Sequence, residues 1–433
     1  MVAYRAGAPV RAEHFLADVI RVAAALPQRR HVLNACSDRY RFTVAFAASL
    51  VANKVSLLPS THTPEVIRQL TEFAPDVFCL TDDARCQIDL PQVRFPELLP
   101  GETVPWQQLE IEQDRLAAYV FTSGSTGTPL PYKKTWGRLV NCVRFEAQRL
   151  GLLDGRSHAI VGTVPPQHMY GFESTVLLAL QSGSAFSAGR PFYPADVCSE
   201  LDSVPQPRML VSTPVHLRTL LGADVQLPAA DLVLSATAPL SQNLAREVEQ
   251  RFATRLLEIY GSTETGQIAS RRTADSVEWQ LFSGVRLFTQ GEETWAEGGH
   301  VEQPTPMCDV LEVTAADRFL LHGRLSDLVN IAGKRSSLSY LNHQLNAIAG
   351  VVDGAFFVRE PDEGSSTGVT RVAAFVVAPT LDAAAVTEQL RKKIDAVFMP
   401  RPLLFVDSLP RNDTGKLPHD SLRSLAAAAM KRT

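Results

Sequence analysis

The sequence predicts an α/β protein. It should have a large N-terminal domain of several subdomains, with mostly parallel sheets flanked by helices, followed by a small α+β C-terminal domain. Three observations carry this reading. Short apolar runs alternate with helically spaced segments between residues 11 and 81, and the alternation returns between 157 and 260, the pattern of β-α-β units. After about residue 270 the segments become shorter, more strand-like and turn-rich as far as Gly323-Arg324. The last hundred residues then form a compact pattern of their own, which divides the chain into 1–324 and 325–433.

Residues 11–26 space their apolar side chains as a helix does and stop at Pro27, and His31-Val-Leu-Asn-Ala reads as a strand. An apolar helix over 41–52, a strand over 55–59, an amphipathic helix over 65–73 and a strand over 77–81 follow. In the second block strands are expected at 159–164, 209–212, 232–235 and 256–259, with helices around 174–181 and from Pro214 and Gln242. The C-terminal pattern gives a helix over 340–348, strands over 354–359 and 372–377, a helix over 381–397 and a strand over 403–406. Residues 361–368 read as a mobile surface loop.

Composition removes several functions. The 42 basic and 46 acidic side chains leave a formal charge of −4, so nothing draws the chain as a whole to nucleic acid or anionic lipid. A polyphosphate must therefore be bound by a local device. The longest apolar stretch, near 42–52, is about half of the ~20 residues a membrane-spanning helix needs. Glu13 and Asp18 interrupt the N-terminal apolar pattern, which does not read as a signal peptide. The six cysteines form no Cys-x-x-Cys pair, which argues for reduced thiols in a cytoplasmic protein and against a zinc ribbon.

Four motifs concentrate chemistry. The apolar Tyr119-Val-Phe121 runs into Thr122, Ser123, Gly124, Ser125, Thr126 and Gly127. Glycines there let backbone N–H groups converge, and hydroxyls add donors, which suits phosphate oxygens. In Glu258-Ile-Tyr-Gly-Ser-Thr-Glu-Thr-Gly266, Tyr260 offers an aromatic plane, Thr263 a hydroxyl and Glu264 a hard carboxylate. An adenine ring, a phosphate and a Mg²⁺ ion want those three types. Leu320 to Arg335 suits an inter-domain connector, and Leu409-Pro-Arg-Asn-Asp-Thr-Gly-Lys-Leu417 carries a lysine beside a glycine. Each has a plainer reading by itself: a polar turn, a capped turn, a solvated charged strand pair, a solvated lysine. No Gly-x-x-x-x-Gly-Lys-[Ser/Thr] loop occurs, since Gly261 to Gly266 is followed by Gln267. Gly364-Ser-Ser-Thr-Gly368 fits Gly-x-Ser-x-Gly but leads into a strand rather than a helix, so it makes no nucleophile elbow.

In this order and spacing the four motifs resemble those of the adenylate-forming enzymes: acyl-CoA synthetases, aryl-CoA and aryl-carrier ligases, and nonribosomal adenylation domains. The resemblance runs from about residue 31 to 420. It implies that residues 122–127 bind phosphate, that Tyr260-Gly261-Ser262-Thr263-Glu264 holds ATP, and that Glu264 is the Mg²⁺ ligand. Asp309, fourteen residues before Gly323, is similar in placement to the ribose-binding aspartate, and Arg324 to the arginine that joins it. Lys416 corresponds to the catalytic lysine of a mobile C-terminal domain, Ser326 to its hinge, and Gly333 with Arg335 to the phosphopantetheine tunnel. Val164 to Gly171 resembles the acyl-pocket segment, with His168 gating the carboxylate; Tyr170, Gly171 and Ala236 would line that pocket.

Departures stand beside the matches. Leu130 follows Pro129 where the family has lysine, with Lys133 and Lys134 further on and the role of either open. Ala236-Thr237-Ala238 replaces a glycine-rich nucleotide strap, and Ser326 stands where Asp or Lys is usual. The resemblance implies an acid–thiol ligase that joins a carboxylic acid to AMP, releases pyrophosphate, and passes the acyl group to a phosphopantetheine thiol. The short N-terminal part, the Gly333-to-Leu338 run and the pocket segment are similar to the stand-alone ligases of bacterial aryl-polyene and xanthomonadin-type pigment pathways. That implies an aromatic acid such as 4-hydroxybenzoate and an acyl carrier protein as acceptor. A fatty acyl-CoA synthetase using free CoA and a catalytically silent nucleotide-binding homologue are the alternatives.

Overall fold

The computed structural model describes residues 1–59, 61–97, 103, 109–121, 130–291, 293–324, 327–331, 334–359, 371–411, 417 and 419–430. The expected loop at 361–368, with its Gly364–Gly368 decoy, lies outside them. A six-stranded sheet runs in the order Gln92–Arg94, Phe78–Thr81, His31–Asn34, Val55–Leu58, Leu116–Phe121 and Pro131–Thr135, parallel except for the last strand. Val55–Leu58 and Phe78–Thr81 are buried along their whole length, as strands covered on both faces must be. Helix Arg39–Val51 packs here with ten buried residues, and Asp38 caps it by accepting from the Arg41 N–H at 2.8 Å. Thr63 caps Pro64–Phe73, whose proline occupies the first turn, where no N–H is needed.

The second sheet has eleven strands. Its parallel block is Arg255–Ser262, Leu232–Ser235, Arg208–Ser212, Ala159–Gly162, Ala185–Ser187 and Ala3–Arg5. Antiparallel strands extend it: Ala8–Val10 on one side, and Gly266–Arg271, Trp279–Leu281, Arg318–Arg324 and Asp309–Ala315 on the other. One core containing Phe15, Phe42, Phe46, Phe172, Phe186 and Phe319 joins the two sheets. Val329, Leu341, Phe356, Val376 and Leu390 belong to a separate core drawn from the C-terminal residues.

Several elements differ from expectation. The hairpin Ala3–Arg5/Ala8–Val10 has strands of three residues, too short to show a period, and it forms by docking on Ala185–Ser187. The helix expected around 174–181 is one run in three geometries: Met169–Gly171, the π-helix Phe172–Leu177 and Leu178–Ser182. The helix expected over 381–397 spans Ala383–Arg391, and Asp395 caps a separate 3₁₀ turn at Ala396–Phe398. The C-terminal helix His419–Met430 has no counterpart in the sequence reading. Among the described residues no helix is long and apolar enough to cross a membrane. All six cysteines are free thiols.

Candidate active site

The parallel block aligns its strand ends. Gly162 pairs with Val211, and Ser212, Ser235 and Glu258 stand in one row. Loops therefore gather at the carboxyl edge, where α/β sheets bind ligands. Thr163 Oγ1 lies 3.0 Å from Ser212 Oγ and 2.8 Å from His216 Nδ1 at that edge. The segment leaving Ala159–Gly162 is fixed by Arg39, a wholly buried cation missed in the sequence because its partners lie over 120 residues away. Its guanidinium donates to Gly162 O and Val164 O at 2.9 Å each, to Ser187 O at 3.0 Å and to Gly189 O. His168 caps the next turn, with Nδ1 accepting from the Tyr170 N–H at 3.2 Å. Gly171 is required by packing, since a Cβ there would lie 2.1 Å from Pro165 O. Tyr170 and Ala236 are buried. Ser235 Oγ is buried without a hydrogen-bond partner among the described residues.

The neighbouring hairpin carries Tyr260 to Glu264. A bulge at Tyr260/Gly261 shifts the ladder, and Gly261 must be glycine because a Cβ would fall 2.3 Å from Gly266 O. The Tyr260 hydroxyl donates to Asp309 Oδ2 at 2.6 Å, and the ring packs 5.5 Å from both Trp279 and Phe319. Asp309 faces Arg324 across the ladder, and the Tyr260 hydroxyl reaches Asp309 from a strand further along the same sheet, so three of the nominated nucleotide residues come together. Ser262 and Thr265 close the turn: the Thr265 N–H donates to Ser262 Oγ at 3.2 Å and the Ser262 N–H to Thr265 Oγ1 at 3.3 Å. Thr263 and Glu264 are half-buried at its tip. Burial first, then the Glu264 carboxylate, pushes up the Tyr132 hydroxyl on the facing strand Pro131–Thr135.

That strand also separates the two candidate lysines. Successive side chains on a strand point to opposite faces, so Lys133 is exposed while Lys134 is 1% exposed. The Lys134 ammonium donates to Thr263 O, and Arg138 Nη2 to Glu264 O. Behind them Cys142 Sγ contacts Glu173 Oε1 at 3.6 Å, and Ser174 Oγ donates to Glu146 Oε1 at 2.7 Å. Burial raises both carboxyl groups and lowers the Lys134 ammonium. No local pattern marks this buried polar cluster, because its members come from Pro131–Thr135, Trp136–Leu150 and the π-helix.

In the strap, Thr237 takes φ +80°, the left-handed region that a β-branched residue avoids. The backbone thus keeps the shape a glycine would give it. The phosphate loop 122–127, Ser326, Gly333 and Lys416 lie outside the described residues, as do the side chains of Arg324 and Arg335. Among the described residues no cluster of three His, Cys, Asp or Glu side chains could cage a metal. A single carboxylate such as Glu264 fits Mg²⁺, which keeps waters and shares substrate phosphates.

A sequence model of the AMP-binding enzyme family matches residues 15–314. A 4-coumarate–CoA ligase of Rhodobacter capsulatus is 29% identical over 299 residues, covering 68% of this chain and 73% of that protein. A 4-coumarate–CoA ligase of Halorhodospira halophila is 30% identical over 312 residues, with 68% and 73% covered. The crystal structure of ATP-bound MatB from Rhodopseudomonas palustris superposes with a TM-score of 0.82 at 19% identity, covering 98% of this chain and 95% of that one.

Proposed function

The chain belongs to the AMP-binding enzyme family as an acid–thiol ligase, and we propose that it activates a hydroxylated aromatic acid, such as 4-hydroxybenzoate, with ATP. The observation that carries the nucleotide half is the 2.6 Å hydrogen bond from Tyr260 to Asp309, which joins two motif residues 49 positions apart into one binding wall. The aryl half is supported by the two relatives' naming for 4-coumarate.

A carboxylate is a poor electrophile, and joining it to AMP provides a good leaving group. Both reacting oxygens carry negative charge, so catalysis is mainly positioning and electrostatic stabilisation. Residues 122–127 hold the phosphates, Asp309 and Arg324 the ribose, and Tyr260 the base. His168 gates the carboxylate, and Lys416 meets the charge developing between carboxylate and phosphate. Glu264 would hold a Mg²⁺ ion, which screens phosphate charge when bound. The division at 324/325 lets residues 325–433 turn at Ser326, withdrawing Lys416 and presenting the Gly333–Arg335 face to the thiol. The separate C-terminal core supports such a rigid-body movement.

The acceptor proposed is the phosphopantetheine of an acyl carrier protein, in a pigment-type pathway in the cytoplasm. ATP–pyrophosphate exchange across hydroxybenzoates, hydroxycinnamates and fatty acids tests the substrate, and thioester formation on holo-carrier protein against CoA tests the acceptor. Strongest exchange with an alkyl acid refutes the aryl reading; nucleotide binding without exchange for any acid refutes the ligase.

A further inference from the structure

Two cations reach the tip of the Tyr260–Gly266 hairpin from below. The Lys134 ammonium bonds Thr263 O and the Arg138 guanidinium bonds the next carbonyl, Glu264 O. They stand four residues apart, one at the end of Pro131–Thr135 and one in the first turn of Trp136–Leu150. Thr135 caps that helix by accepting from the Arg138 N–H at 3.3 Å, so the strand-to-helix corner holding both cations is itself braced. Lys134 is 1% exposed, and taking an ammonium out of water is costly. An apolar side chain would fill the same space without that cost. What the cation adds is a fixed direction for one peptide group, and Arg138 fixes the next.

With both carbonyls drawn inward, the two residues between Ser262 and Thr265 have their backbone locked. The Thr263 hydroxyl and the Glu264 carboxylate stay at the half-buried tip. No cation stands at position 130, whose leucine is 54% exposed.

Resting on the adenylation reading above, we propose that Lys134 and Arg138 are positioning residues for the first half-reaction. They clasp the Thr263–Glu264 turn so that its hydroxyl and carboxylate meet the nucleotide's phosphates and their Mg²⁺ in one geometry. They act through the turn and touch no substrate.

The test compares Lys134→Met, Arg138→Met and Arg138→Lys with wild type. Calorimetric ATP titrations with and without Mg²⁺ are run beside pyrophosphate exchange and thioester formation from supplied acyl-adenylate. Lys134→Met and Arg138→Met should each lose about tenfold of the Mg²⁺-dependent gain in ATP affinity, with Mg²⁺-free binding unchanged. Exchange should fall about 10- to 100-fold, while transfer from supplied adenylate stays within about twofold. Arg138→Lys should recover most of the loss. Adding Lys134→Met to Glu264→Gln should cost no more than Glu264→Gln alone.

An unchanged Mg²⁺ increment in both Met variants overturns the proposal. So does an equal loss in both half-reactions, which would mark a merely structural pair. If Lys134→Met does not fold, the Arg138 pair decides alone. Wild-type protein that binds ATP but exchanges with no acid refutes the ligase reading, and the calorimetric increment still decides on the clasp.

Discussion

Glu146 is wholly buried on Trp136–Leu150, where burial pushes its carboxyl up from the ordinary 4.5 to about 8. Hydrogen bonds from Ser174 and Gln267 offset this only in part, and the Glu173 carboxylate adds to it. The folded protein thus keeps a proton at pH 7 that the unfolded chain sheds above about 4.5, so stability falls as pH rises through that window. At 1.36 kcal/mol per pH unit, the loss by pH 7 is about 3 kcal/mol. Glutamine has the same shape and does not titrate, so Glu146→Gln escapes the loss. An unfolding entropy of roughly 2.1 cal/mol/K per residue over the 433 residues converts this to about 3 °C. Thermal unfolding of both proteins from pH 5 to 8 should show the variant's advantage opening by that amount and levelling off near pH 8. A gap that stays constant, or closes as pH rises, refutes the assignment of a buried neutral carboxyl.

Tyr260→Phe removes the hydroxyl that holds Asp309. It should raise the KM for ATP about tenfold, a loss near 1.4 kcal/mol, with the KM for the acid unchanged in steady-state assays. Thr237→Gly relieves a left-handed threonine and should raise the unfolding free energy by up to about 1 kcal/mol in denaturant titrations, part of the relief being offset by glycine's unfolded-state freedom. Arg39→Met leaves the Gly162 and Val164 carbonyls without their buried donor; destabilisation of about 3 kcal/mol and impaired acid binding should appear together, by chemical denaturation and substrate titration. Lys416→Ala should cost about 2–4 kcal/mol in adenylation and much less in transfer from supplied adenylate, and equal losses in rapid-quench measurements of the two steps would break that division of roles.

Local patterns specify those features whose signals lie in neighbouring residues. Leu232–Ser235 and the start of Gln242–Phe252 fall where the local apolar pattern puts them, because strand and helix signals depend on neighbours a few residues apart. The Tyr260–Glu264 motif was legible for the same reason: the turn needs its glycine and hydroxyls next to one another. Leu130 looked like a lost phosphate lysine, and the sequence left Lys133 and Lys134 equivalent. Only the tertiary structure separated them, since a strand's two faces meet different surroundings: Lys133 meets solvent and Lys134 meets Thr263, 129 residues away. Arg39, Glu146 and Glu173 have charges that composition counts as surface, and their burial was decided by elements distant in the chain. A polar group goes inside only where the fold brings it a partner, and no local pattern records which partner that is.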